Sequence, residues 1–154
     1  MPDPFADLPS TLRADRVDKV AVLTLARPAK RNALSDETVL GLERFFTHLP
    51  EDVTCVVIAA DGDHFCAGLD LAEMTERDAL AGLQHSRMWH RVFDLVESGP
   101  VPVVAALKGA VVGGGLELAA AAHVRVASDP RSSRCPRACA GSSSVGAGPC
   151  ASRG

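Results

Sequence analysis

No stretch of the chain offers eighteen consecutive apolar residues, so no segment has the length and composition of a membrane-spanning helix. The opening MPDPFADLPS holds neither the basic segment nor the apolar run of a secretory signal. These absences lead to the expectation of a cytoplasmic protein without a membrane partner. Positive charge is not in excess: 16 Lys and Arg against 19 Asp and Glu give a net charge of −3, which leaves no electrostatic footprint for nucleic acid. Cysteines do not occur in a metal-ligand pattern. Cys55 and Cys66 lie in apolar contexts, whereas Cys135, Cys139 and Cys150 crowd the end at spacings foreign to common zinc sites, with His123 the only histidine near them. No metal is expected.

What remains is the composition of an ordinary globular protein, 47% hydrophobic and 23% charged. A length of 154 residues suits one modest domain and is short for a two-layer enzyme. The segments TLRAD and VAVLTLA read as a hairpin, the second with Val20, Val22 and Leu25 among smaller or polar residues. A helix is predicted from about Asp36, with Ser35 as N-cap, Asp36 and Glu37 at the positive end of its dipole, and Val39, Leu42, Phe46 and Leu49 on one face until Pro50 closes it. The apolar runs TCVVIAA and VPVVAAL suit parallel strands covered on both faces. Between them a long helix is predicted, opened by a box from Thr75 to Asp78, lined by Leu80, Leu83, Trp89, Val92 and Val96, and ended by Gly99 and Pro100. Alternating strands and helices of this kind specify an α/β fold, whose sites form at the C-terminal ends of the parallel strands.

Two segments occupy such ends: DGDHFCAGLDLAEM after the first apolar run, and KGAVVGGGLELAAAAH after the second. The triplet Gly113, Gly114 and Gly115 stands where a helix begins, although glycine is costly inside regular structure. A phosphate loop, a tight packing contact and a catalytic backbone are the three readings. The first fails on spacing, because neither GxGxxG directly after a strand nor a P-loop lysine followed by Ser or Thr is present.

Together with ARPAKRNALS, these two segments make residues 12 to 128 resemble the crotonase, or enoyl-CoA hydratase/isomerase, family. The resemblance implies a crotonase-like spiral of ββα units, here incomplete because the C-terminal part is missing. It also implies an acyl-CoA thioester as substrate, coenzyme A entering as part of that substrate, and no permanently bound cofactor. Reactions of this family pass through a thioester enolate, whose oxygen needs donors where negative charge develops. By the resemblance, the backbone amides of Leu69 and Gly114 form that oxyanion hole, and Glu117 acts as general acid/base. A solvated first-turn glutamate favoured by the dipole is the plainer alternative for Glu117. The CoA- and substrate-binding segments would comprise Lys30, Arg31, Ala33, Ala67, Gly68, Leu69 and Asp70. Lys30 and Arg31 either meet CoA phosphates or are simply solvated. Asp70 is either a second carboxylate or, as preferred here, a turn-fixing group bonded to nearby amides. Cys66 reads as a small buried residue, His64 as a loop residue and His123 as a core residue.

Beyond Ser128 the character changes. RSSRCPRACAGSSSVGAGPCASRG has no acid, no aromatic and one large aliphatic, Val145, so it cannot supply a core and is expected to be disordered. Its composition is that of GC-rich coding DNA read out of frame. With GC-rich codons and one nucleotide restored beside Pro130, DPRSSRCPRACAGSSSVGAGPCASRG becomes DPAVFALPEGLRGIFVGGGGSVRVPR. This resembles the family's continuation, and its second glutamate falls where Arg137 stands, twenty residues beyond Glu117. The expected organisation is an N-terminal extension over 1–11, a truncated crotonase-like domain over 12–129 and a frameshift-derived tail over 130–154. Two functions follow. One is an impaired or inactive acyl-CoA enzyme, most simply a hydratase. The other is a non-catalytic fragment or pseudogene product that binds CoA weakly or docks on an intact homologue. The family forms trimers or hexamers; the state of this chain is left open.

Overall fold

The computed structural model describes residues 5–73 and 78–128. Five strands form one mixed sheet in the order β1-β2-β3-β4-β5: β1 (Leu12–Val17), β2 (Val20–Leu25), β3 (Cys55–Ala60), β4 (Val103–Leu107) and β5 (Val124–Ala127). β1 and β2 are the expected antiparallel hairpin, turned at Asp18 in the left-handed region (φ 55°), and every later pairing is parallel. Consecutive parallel strands need crossover connections. Helices α1 (Asp36–Thr47), α2 (Ala79–Glu97) and α3 (Gly114–Ala121) supply them in turn.

Local chemistry explains where each helix starts. The Ser35 hydroxyl accepts the Thr38 N–H at 3.2 Å while Asp36 and Glu37 occupy the first turn of α1, as its sequence predicts. Val39, Leu42, Phe45 and Phe46 face the core, and Leu49, beyond the helix end, is half-buried. For α2 the cap is Asp78, whose carboxylate accepts the Ala81 N–H at 2.7 Å; Thr75 lies outside the described residues. The buried stripe of α2 is Trp89, Val92, Phe93 and Val96. Leu80 and Leu83 do not belong to it and are 64% and 48% exposed. At about 100° per residue, Leu80 falls on the side of the helix opposite Trp89, and Leu83 on the side opposite Val92.

The strand expectations also need revision in detail. Within β2 the buried positions are Ala21, Leu23, Thr24 and Leu25, whereas Val20 and Val22 are half-buried. In β3 burial alternates, with Val56, Ile58 and Ala60 in the core and Cys55, Val57 and Ala59 half-buried, and β4 repeats this with Val103 and Ala105 inside. Among the described residues these strands are therefore fully covered on one face only, and the period-two alternation of a pleated strand decides which residues lie inside. All four residues of β5 are exposed. His123, expected in the core, is exposed as well: its position just before β5 puts its ring at the sheet edge, where Nδ1 accepts the Val103 N–H at 3.1 Å.

The two leucine classes separate in a urea titration. Leu42→Ala empties a fully buried site and is expected to cost about 2–5 kcal/mol, whereas Leu83→Ala should stay within about 0.5 kcal/mol of the parent. Equal losses would show that the start of α2 is covered after all.

Candidate active site

Loops following the C-terminal ends of β2, β3 and β4 lie side by side and are stitched by main-chain hydrogen bonds. The loop after β3 is the middle one. On one side, Phe65 and Cys66 donate to the carbonyls of Lys108 and Ala110, and Val112 donates back to Cys66 at 3.1 Å, making a parallel bridge between Cys66 and Val111. On the other, Ala67 donates to Arg31, Leu34 donates to Gly68 at 2.7 Å and Asp70 donates to Leu34 at 2.8 Å, making a second parallel bridge between Leu34 and Leu69. The three strand ends are thus continued as a small, irregular extension of the sheet.

Asn32 holds this arrangement from inside and was missed in the sequence. It is buried and left-handed (φ 55°), its Nδ2 donates to the carbonyls of Asp61 and His64 at 2.8 Å each, and its Oδ1 accepts the Arg27 N–H. Asparagine is among the few residues with a side chain that tolerate this conformation, which was the available signal. His64, half-buried in its loop, accepts the Ala110 N–H on Nδ1 at 3.1 Å.

Each glycine of the triplet has its own reason. Gly113 caps α3 with φ 52° and ψ −125°, a conformation that side chains oppose. A Cβ on Gly114 would stand 3.0 Å from Cζ3 of Trp89. A Cβ on Gly115 would stand 2.6 Å from the Cys66 Cβ and 2.7 Å from its carbonyl oxygen and its sulfur, so the first turn of α3 rests directly on the middle loop. Gly68 is also left-handed (φ 98°), and a Cβ there would be 2.9 Å from the Val112 oxygen and 3.6 Å from the Gly114 nitrogen. The Gly68–Leu69 peptide and the start of α3 are therefore neighbours. Among the described residues, neither the Leu69 nor the Gly114 N–H donates to a protein acceptor.

The remaining predicted residues surround this contact unequally. Glu117 is exposed on the first turn of α3, three residues after Gly114. Asp70 is buried; its Oδ1 accepts the Ala72 N–H at 3.1 Å and its Oδ2 accepts from Arg27 at 2.9 Å, and these two bonds hold its carboxyl below the usual carboxylate range. Arg27 also donates to the Ala33 carbonyl at 3.1 Å within the first loop, while its bond to Asp70 ties that loop to the middle one. Lys30 is exposed with Nζ 4.0 Å from Asp70, and Arg31 is exposed in the left-handed region (φ 50°). Ala33 and Gly68 are buried, and Ala67 and Leu69 half-buried. Cys66 is fully buried, and desolvation pushes its thiol up to about 11, which leaves no thiolate for nucleophilic chemistry at neutral pH. Arg137, Cys135, Cys139 and Cys150 lie outside the described residues.

The family model for enoyl-CoA hydratase/isomerase matches residues 15–144, well over half of the chain. The chain belongs to the enoyl-CoA hydratase/isomerase family. A crotonyl-CoA hydratase of Syntrophomonas wolfei is 35% identical over 116 residues, which cover 73% of this chain and 45% of that protein. Among solved structures, a Rhodopseudomonas palustris protein assigned as an enoyl-CoA hydratase superposes with a TM-score of 0.75 at 56% identity, over 81% of this chain and 46% of the other. A Thermobifida fusca protein with the same assignment, crystallised with CoA, gives a TM-score of 0.71 at 29% identity over 78% of this chain and 50% of its own. The α/β fold is thus the crotonase fold in part, as expected. The chain spans less than half the length of the curated hydratases it matches. No helix among the described residues is long and apolar enough to cross a membrane.

Two measurements follow from the loop contacts. Gly115→Ala is expected to lower stability by about 1–3 kcal/mol through overpacking. Adding Cys66→Ala should not restore it, because the Cβ and carbonyl contacts persist without the sulfur; full rescue would place the conflict elsewhere. For Asp70, a depressed folded-state pKa means stability present above the ordinary aspartate value and lost as the pH falls through the folded value. Asp70→Asn should therefore flatten the acid limb of the stability–pH curve below about pH 4, and an unchanged limb would assign the acid sensitivity to other carboxylates.

Proposed function

We propose that this chain derives from an enzyme acting on acyl-CoA thioesters, in which the amides of Leu69 and Gly114 receive the thioester oxygen and Glu117 transfers a proton. The observation that carries this is the approach of the Gly68 turn to the Gly114 nitrogen, with both neighbouring N–H groups free of protein acceptors among the described residues. Removing a proton next to a thioester, or adding a nucleophile to its conjugated double bond, moves negative charge onto the carbonyl oxygen. Fixed backbone donors stabilise that charge without reorganising, and loss of one such donor typically costs about 100- to 1,000-fold in rate. Gly114 opens α3, so the positive end of the helix dipole adds to the same effect. Lys30 and Arg31 on the neighbouring loop suit the phosphates of coenzyme A as a point charge and a planar fork. The Thermobifida fusca relatives crystallised with CoA and with acetoacetyl-CoA support this substrate class.

Hydration is the favoured reaction. Water adds across the double bond of an enoyl thioester, with the hydroxyl joining the β carbon and a proton joining the α carbon, and two carboxylates divide the work. Glu117 is one. The other is the glutamate that the restored reading frame places at the position of Arg137, and in the present chain that function is lost. We therefore propose that the coding sequence slips by one nucleotide beside Pro130 and that this chain retains thioester binding with little turnover. The second reading, a non-catalytic fragment that docks on an intact homologue, is favoured by the exposed Val112, Leu116, Val124 and Val126 and by the edge of β5, which no strand among the described residues pairs.

Calorimetric titration with crotonyl-CoA and a hydration assay test the two parts together. The 154-residue chain should bind the thioester yet turn over several orders of magnitude more slowly than a full-length relative; robust turnover by this chain would contradict the impairment. Restoring the nucleotide and the downstream frame should recover hydration, and Glu117→Gln in that repaired protein should remove about 100- to 10,000-fold of it. A repaired protein that neither binds nor hydrates enoyl-CoA would end the proposal.

A further inference from the structure

The Asp36–Trp89 pair adjoins the glycine turn without belonging to any of the three loops. Trp89, 9% exposed, reaches from α2 so that its ring edge meets Gly114, with Cζ3 3.0 Å and Cη2 3.8 Å from where a Cβ on that glycine would stand. The same ring is fixed at its other end. Its Nε1–H donates to Oδ1 of Asp36 at 3.1 Å, and His85 Nε2 meets the same oxygen at 2.6 Å. Asp36 is also tied to the loop after β3, because its backbone N–H donates to Oε2 of Glu73 at 2.8 Å. A path therefore runs behind the site from the loop that carries Leu69, through Glu73 and Asp36, to the indole and on to Gly114. A planar ring held by a charge-assisted hydrogen bond cannot rotate away from the turn without breaking that bond. A glycine turn lacks side-chain packing of its own, so its orientation is set by what leans on it.

We infer that Trp89, anchored by Asp36, is a positioning residue that sets the direction of the Gly114 amide and thereby the strength of thioester binding. This deepens the proposed function and rests on it. The bond offers a clean perturbation. Trp89→Phe keeps an aromatic ring and deletes the donor, Asp36→Ala deletes the acceptor, and Asp36→Asn keeps an acceptor oxygen while removing the charge. A purely structural role for Trp89 would lower stability without separating Asp36→Ala from Asp36→Asn at Gly114.

The test uses the full 154-residue chain labelled with ¹⁵N and titrated with crotonyl-CoA, the dissociation constant being measured independently by calorimetry. Trp89→Phe and Asp36→Ala should each move the Gly114 amide resonance and weaken crotonyl-CoA binding about tenfold. Asp36→Asn should remain within about twofold of the parent, and the double variant should be no worse than either single one. A Gly114 resonance that stays in place in folded Asp36→Ala, which keeps the indole ring, overturns the inference, as does an Asp36→Asn variant that behaves like Asp36→Ala. If the parent chain does not bind crotonyl-CoA, the proposed function fails, and the Gly114 resonance in Asp36→Ala against Asp36→Asn, both with the indole in place, still decides the positioning role.

Discussion

Two parallel bridges, Leu34 to Leu69 and Cys66 to Val111, constrain everything at the candidate site. Strand ends in an α/β sheet ordinarily release the chain into independent loops. Here the loops after β2, β3 and β4 continue to exchange main-chain hydrogen bonds, so the middle loop cannot move without breaking contacts on both sides. That coupling places the peptide between Gly68 and Leu69 against the first turn of α3. Backbone groups held in this way suit the stabilisation of transient charge, because they are oriented before any substrate arrives.

Glycine is the material that lets the loops come so close. Gly115 packs on Cys66 at a distance that excludes any side chain, and Gly68 faces the Val112 carbonyl in the same manner. The conformational entropy lost at these positions is offset by burial of the middle loop, where Phe65 and Cys66 are fully enclosed. Asn32 contributes from the other side by donating to two carbonyls of the chain that leaves β3, those of the half-buried Asp61 and His64. The geometry of the candidate site thus depends on packing and hydrogen bonding away from Leu69, Gly114 and Glu117.

Much of this was legible in the sequence, and the exceptions share a physical cause. The hairpin, the Ser35 cap and the runs that became β3 and β4 are written in local patterns of capping and β-branched residues, and they form where those patterns place them. Leu80 and Leu83 are apolar residues of a helix whose angular positions put them off its buried stripe, so apolar character alone does not mark the face. His123 reads as a core residue in the sequence, yet it is exposed, because a position at a sheet edge is a property of strand order. Asn32 and Arg27 act through groups about thirty to forty residues away in sequence, which no local pattern reveals. The sequence presents Trp89 as a helix-lining residue and Asp36 as a dipole partner; the hydrogen bond between them and the contact of Trp89 with Gly114 exist only once α1, α2 and α3 are packed.

The central claim is that the amides of Leu69 and Gly114 converge on one acceptor atom. A crystal structure of this chain with a non-hydrolysable crotonyl-CoA analogue tests it most directly. The account predicts the oxygen that replaces the thioester carbonyl at about 3 Å from both nitrogens, with the α carbon within reach of Glu117. An analogue seated elsewhere, or an oxygen that meets only one of the two amides, would contradict it.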